Sequence, residues 1–158
     1  LPEAQLDRFL MRIGVGYPTQ ADERQLMTNL QREHPVTHLK QVVDVAQLPA
    51  LQRQVWEIHV DDSLQDYIVR LVGATRENTD LALGGSPRAS LALYKTAQAL
   101  AALRGRDHVI PDDIKYLAPF ALAHRLIVKP EAELRNRTAR SILNDLLATI
   151  PLDIGKLG

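Results

Sequence analysis

Arg88 stands in the first turn of a helix start written Gly84-Gly85-Ser86-Pro87-Arg88, inside the stretch LALGGSPRAS. Ser86 as N-cap and Pro87 in the first helical position are ordinary choices there. A fixed cation is not. The unpaired N–H groups of a helix N-terminus carry roughly half a positive charge, so an arginine in the first turn is disfavoured by about 0.3 to 1 kcal/mol. Placement alone reads Arg88 as a side chain swung into solvent, unless something outside the local sequence holds it.

Other groups could do chemistry by residue type. His34 and His38 have the spacing of a helical metal pair, but Pro35 and Val36 interrupt any helix that would align them, so no metal site is expected. His59, His108 and His124 are scattered and read as structural or exposed. Asp61-Asp62 and Asp112-Asp113 resemble paired carboxylates, yet each sits where a helix start favours acid, and they read as caps. Arg125, Lys129, Arg135, Arg137 and Arg140 form a basic segment of the kind that meets nucleic acid. Interleaved Glu131, Glu133 and Asp145, with few aromatics to stack on bases, make a solvated face the better reading. No Ser-His-Asp arrangement has support beyond the presence of those residue types.

The elements that would position these residues are mostly helical. LPEAQLDRF gives a short helix ending near Arg8, and LMRIGVGYP a short strand. Thr19 caps a helix with Leu26, Met27 and Leu30 on one face. PVTHLKQVVD reads as a partly extended linker. Asp44 caps a segment in which Pro49 forces either a kink or a delayed start. Asp61 caps a helix with Leu64, Ile68, Leu71 and Val72 at helical spacing. NTDLALGG reads as a loop, and the alanine-rich helix after Ser86 runs to Gly105 at the centre of the bundle. Pro111 opens the next helix with Ile110 as an unusual cap, and a last helix, RTARSILNDLLATI, ends before Pro151. The tail DIGKLG reads as loose.

The 158 residues suit one medium domain, or a small domain with a fragment of another. Lys plus Arg and Asp plus Glu both total 19, so no bulk attraction to nucleic acid or anionic membrane follows. There is no cysteine, which excludes disulfide frameworks and zinc-thiolate sites. With 46% apolar but only 4% aromatic residues, the core must be built from Leu, Ala, Val and Ile in closely packed helices. No apolar run approaches the roughly 18 to 20 residues of a membrane span, and the start lacks the order of a signal peptide. A cytoplasmic location is the expectation, and a first residue of leucine reads as the interior of a longer polypeptide.

Three segments carry a family. LPEAQLDRFLMRI, then RLVGATRENTDLALGGSPRASLALYKTAQALAALRGRDHVIPDDIKYLAPFALAHRL, then KPEAELRNRTARSILNDLL together resemble the C-terminal part of MoxR-type AAA+ ATPases, relatives of the magnesium-chelatase ATPase subunit. The resemblance implies an all-α helical-bundle lid domain with a short helix-strand remnant of the α/β nucleotide-binding core. It assigns residues 1–18 to that remnant, 19–43 to a connecting helix and linker, and 44–158 to the lid. It implies that Arg88 is the sensor 2 arginine, reaching ATP bound by its own subunit, and that Arg8 is the arginine finger entering the neighbour's site. Gly84, Gly85, Ser86, Pro87 and Arg88 would then contact the nucleotide. The glycines would allow close approach and let the lid reorient.

On this resemblance the complete protein binds ATP with Mg2+, forms a homo-oligomeric ring, usually a hexamer, and remodels clients such as proteins with a von Willebrand factor A domain. A guanidinium fork suits phosphate oxygens, and the helix start that disfavours a cation alone accepts one with a polyphosphate between. The sequence holds neither a G-x-x-x-x-G-K-[ST] phosphate loop nor an acidic Walker B strand, so this chain alone is not expected to hydrolyse ATP. The rival readings are a non-enzymatic helical adaptor and, further off, a helical nucleic-acid-binding domain.

Overall fold

A computed structural model describes residues 3–30 and 34–152. The tail DIGKLG, with its expected looseness, lies outside them. The chain divides into two compact units, one of residues up to Arg12 together with Gln52 onward, the other Ile13–Leu51. These cuts differ from the divisions at 18 and 43.

The smaller unit holds α2 (Gln20–Asn29), in which Thr19 Oγ1 accepts the Asp22 N–H and the Asp22 carboxylate accepts the Thr19 N–H. The sequence signal for this capping box was complete. The expected strand at 10–18 is absent, since a strand needs a hydrogen-bonded neighbour and the Arg12 N–H goes instead to the Phe120 carbonyl at 2.9 Å. A 3-10 turn at Pro35–His38 is capped by His34 Nδ1, which accepts the Val36 N–H. Asp44 caps a second 3-10 turn, Val45–Gln47, that leads into α3 (Leu48–Trp56), where Pro49 occupies the first turn and costs no helical bond.

The larger unit opens with α1 (Glu3–Leu6), closed by Arg8 and Phe9 N–H bonds to Gln5 and Leu6. Its core is built on α4 (Asp62–Glu77), α5 (Pro87–Leu103), α6 (Pro111–Leu122) and α8 (Ala139–Thr149). The predicted stripe Leu64, Ile68, Leu71 and Val72 is buried, with Tyr67 beside it. α5 lies between α4 and α6, and its buried Ala89, Ala92, Ala97 and Ala101 allow the close approach that their size predicts. α8 closes the bundle with Ile142 and Leu143.

One expectation is corrected and one is met. The NTDLALGG loop contains β1 (Leu81–Leu83), which pairs antiparallel, through a bulge, with β2 (Ile127–Val128). A one-turn helix, α7 (Pro130–Glu133), follows β2. Ile110 caps α6 without a side-chain bond, as its chemistry requires, and its own N–H goes to Asp113 Oδ2 at 3.1 Å. The Asp113 carboxylate is fully buried and also receives Arg104 and Arg106.

Candidate functional site

Arg8 and Arg88 come from distant parts of the sequence and line one groove of about 330 Å3. Arg8 sits on the turn after α1, and Arg88 in the first turn of α5, where Ser86 Oγ accepts its N–H at 3.1 Å. Both side chains are exposed, and among the described residues neither makes an ion pair. The first turn of α5 holds no acidic residue, so nothing local offsets Arg88. Lys95, two turns further along α5, is a third exposed cation on the groove. The one carboxylate in the lining, Asp7, is bonded to Ser86 and Arg125.

The groove rests on a polar network that sequence reasoning missed. Arg125 was expected in a solvated face, but its side chain is 3% exposed and is bonded to Asp7, Phe9, Leu10 and Ala121. His124 Nε2 adds a 3.1 Å bond to the Phe9 carbonyl, which the neutral ring makes as donor. Burial lowers the His124 pKa below the usual histidine value, and the Arg125 charge lowers it further, against the pull of the Phe9 carbonyl. A cavity of about 680 Å3, walled by Leu6, Leu83, Leu126 and Ile127 among others, shares Asp7 and Arg125 with the groove. Only the i, i+7 spacing of Arg88 and Lys95 was a signal within the sequence.

The glycines have a packing reason. A Cβ on Gly84 would lie 2.6 Å from the backbone of Arg76, and one on Gly85 would lie 3.0 Å from Val72 Cγ1. The Gly85 N–H donates to Thr75 Oγ1 at 2.8 Å, and its carbonyl accepts from Arg76 Nε at 2.7 Å. The loop is thus fastened to α4, and Gly85 has no backbone donor left for a ligand. Of the five residues expected at the nucleotide, Arg88 alone is on the cationic groove, while Gly84, Gly85 and Ser86 line the larger cavity.

Asp61 and Asp113 act as caps, as the sequence indicates. The remaining basic residues are internally engaged: Arg135 and Arg137 share Asp80, Arg137 also meets Asp145, and Arg140 lies over the Phe120 ring. That leaves no free basic stripe for nucleic acid among the described residues of this segment beyond Lys129. Among the described residues no group of three or more metal-ligating side chains comes together, and no helix is long and apolar enough to cross a membrane.

Residues 73–146 match the family model of the AAA lid domain. A chaperone named MoxR1 from Mycobacterium tuberculosis is 38% identical over 96% of this chain and 42% of its own length. The chain belongs to the MoxR-type AAA+ family. The "Uncharacterized protein YeaC" of Bacillus subtilis is 43% identical over 98% of this chain and 48% of its own length. A crystal structure of a "putative ATPase" from Cytophaga hutchinsonii superposes with a TM-score of 0.81 at 30% identity, covering 96% of this chain and 49% of that one. The chain therefore spans about half the length of the relatives it matches. Within the MoxR-type frame, the groove of Arg8 and Arg88 lies where α1 meets the start of a lid helix.

Proposed function

We propose that this chain is the lid-bearing part of a MoxR-like AAA+ ATPase that couples ATP binding and hydrolysis to remodelling of partner proteins, and that its groove receives the polyphosphate. The observation that carries the reading is the meeting of two exposed, unpaired arginines in one cationic groove. A volume of about 330 Å3 suits a short phosphate chain. Two guanidinium forks and the Lys95 ammonium present donors to phosphate oxygens and stabilise charge that shifts during phosphoryl transfer. The donor set is cationic, so it fits phosphate, and the accompanying Mg2+ would be held by other groups. Asp7 is engaged, so orienting the attacking water falls to residues beyond this groove.

The family resemblance gives Arg88 to its own subunit's ATP and Arg8 to the neighbour's. Their common groove favours a different division, in which both meet one nucleotide at a junction between protomers. A hexameric ring and von Willebrand factor A domain clients complete the proposal on the strength of the resemblance. In the complete protein, Arg8→Ala and Arg88→Ala should each lower the ATP turnover number by about 100-fold or more while the ring still assembles. Steady-state hydrolysis with a sizing assay checks this, and turnover unchanged by both substitutions would refute the reading.

A further inference from the structure

Arg125 touches the same groove as Arg8 and Arg88, yet every N–H it owns is committed elsewhere. A guanidinium has five. Nε donates to the Ala121 carbonyl at 2.9 Å. Nη1 donates to the Asp7 carbonyl at 2.8 Å and to Asp7 Oδ1 at 3.1 Å. Nη2 donates to the carbonyls of Phe9 and Leu10. These acceptors bracket Arg8 on both sides, and a guanidinium so occupied has no donor left for a ligand.

Asp7 passes the connection on. Its two carboxylate oxygens accept from Ser86 Oγ at 3.0 and 2.9 Å, and the same hydroxyl oxygen accepts the Arg88 N–H at 3.1 Å. A continuous chain of bonds thus runs from Arg125 through Asp7 and Ser86 to Arg88. A lysine could not replace the fork, since its single ammonium cannot span carbonyls on both sides of Arg8 and a carboxylate together.

We propose that Arg125 is a positioning residue that, with Asp7, locks the segment bearing Arg8 to the start of α5, so that Arg8 and Arg88 meet a polyphosphate as one rigid pair. The inference rests on the phosphate reading above and adds residues that the reading does not require. It separates two jobs for one residue type: Arg8 and Arg88 bind, and Arg125 holds.

The test is a binding cycle on the 158-residue chain with tripolyphosphate as the probe, followed by calorimetric titration at fixed salt. Arg8→Ala should weaken binding roughly tenfold. Arg125→Lys should weaken it by a similar factor while the circular dichroism spectrum stays native. The double variant Arg8→Ala/Arg125→Lys should bind no more weakly than Arg8→Ala alone, because the two residues act through one contact. Binding unchanged in Arg125→Lys, or losses that add in the double variant, would overturn the positioning role. Probe binding that is undetectable, or unaffected by Arg8→Ala and Arg88→Ala, would remove the phosphate reading and this inference with it. If Arg125→Lys unfolds the chain, Asp7→Asn carries the same expectation. Unfolding of both variants would assign the network to stability alone and overturn the proposal.

Discussion

Arg88 and Arg125 bring the same side chain to one groove and end in opposite conditions. Arg88 is exposed and without an ion pair among the described residues, whereas Arg125 is 3% exposed with all its donors used. The sequence marks Arg88 because a cation in a first turn is locally anomalous. It hides Arg125, because all its acceptors but the Ala121 carbonyl lie more than a hundred positions away, and no charge pattern records them. Asp113 belongs to the same lesson: the sequence shows a cap, and the fold adds two arginines. Burial pushes its pKa up, but bonds from Arg106 and the Ile110 N–H, with the charges of Arg106 and Arg104, bring it below the ordinary aspartate value. A group whose folded pKa is depressed stabilises at pH above its unfolded value and loses that contribution as pH falls through the folded one. Asp113→Asn should therefore cost about 2 to 3 kcal/mol at neutral pH. The difference from the unaltered chain should shrink below about pH 4, as denaturant titrations across pH would record.

At the scale of elements, helix starts were the most legible feature. Thr19, Asp61, Ser86 and Pro111 mark them because caps are local chemistry, written within four residues of the boundary. β1 and β2 were not legible, since strands of three and two residues exist by virtue of their pairing rather than of any pattern. The strand expected at 10–18 failed for the converse reason. Branched residues were present, but the Arg12 N–H goes to the Phe120 carbonyl and no strand among the described residues pairs with the segment. The glycines of the 81–90 stretch were legible as unusual, and the structure adds a packing cause that the sequence does not record. Gly84 is required by its contact with α4, so Gly84→Ala should destabilise the fold by about 1 to 3 kcal/mol, because the neighbouring atoms are backbone and cannot yield cheaply. Thermal unfolding of the variant measures this, and a loss of ATP contact without a loss of stability would place the glycine at the ligand instead.

For the whole molecule, the shared groove makes an assembly-level prediction. If both arginines serve one nucleotide from one protomer, mixing Arg8→Ala with Arg88→Ala subunits leaves every groove short of one arginine, and hydrolysis stays low at all mixing ratios. If they serve two nucleotides, some junctions in a mixed ring regain both, and activity rises towards equimolar mixing. ATP turnover across the ratio series distinguishes the two outcomes. The all-α lid was readable in the sequence, while the packing of residues 3–12 with the larger unit was not, because it depends on contacts between Asp7 and Arg125, far apart along the chain.

Those long-range contacts also set an order of assembly. Asp7 and Arg125 are separated by 118 positions, so the segment holding Arg8 leaves the ribosome long before its anchor is synthesised. Closing so wide a loop is slow compared with forming local helices, which places this docking among the late steps of folding. A nascent chain interrupted before Arg125 keeps Arg88 but leaves Arg8 unfastened, so the groove cannot be completed until synthesis has passed that residue.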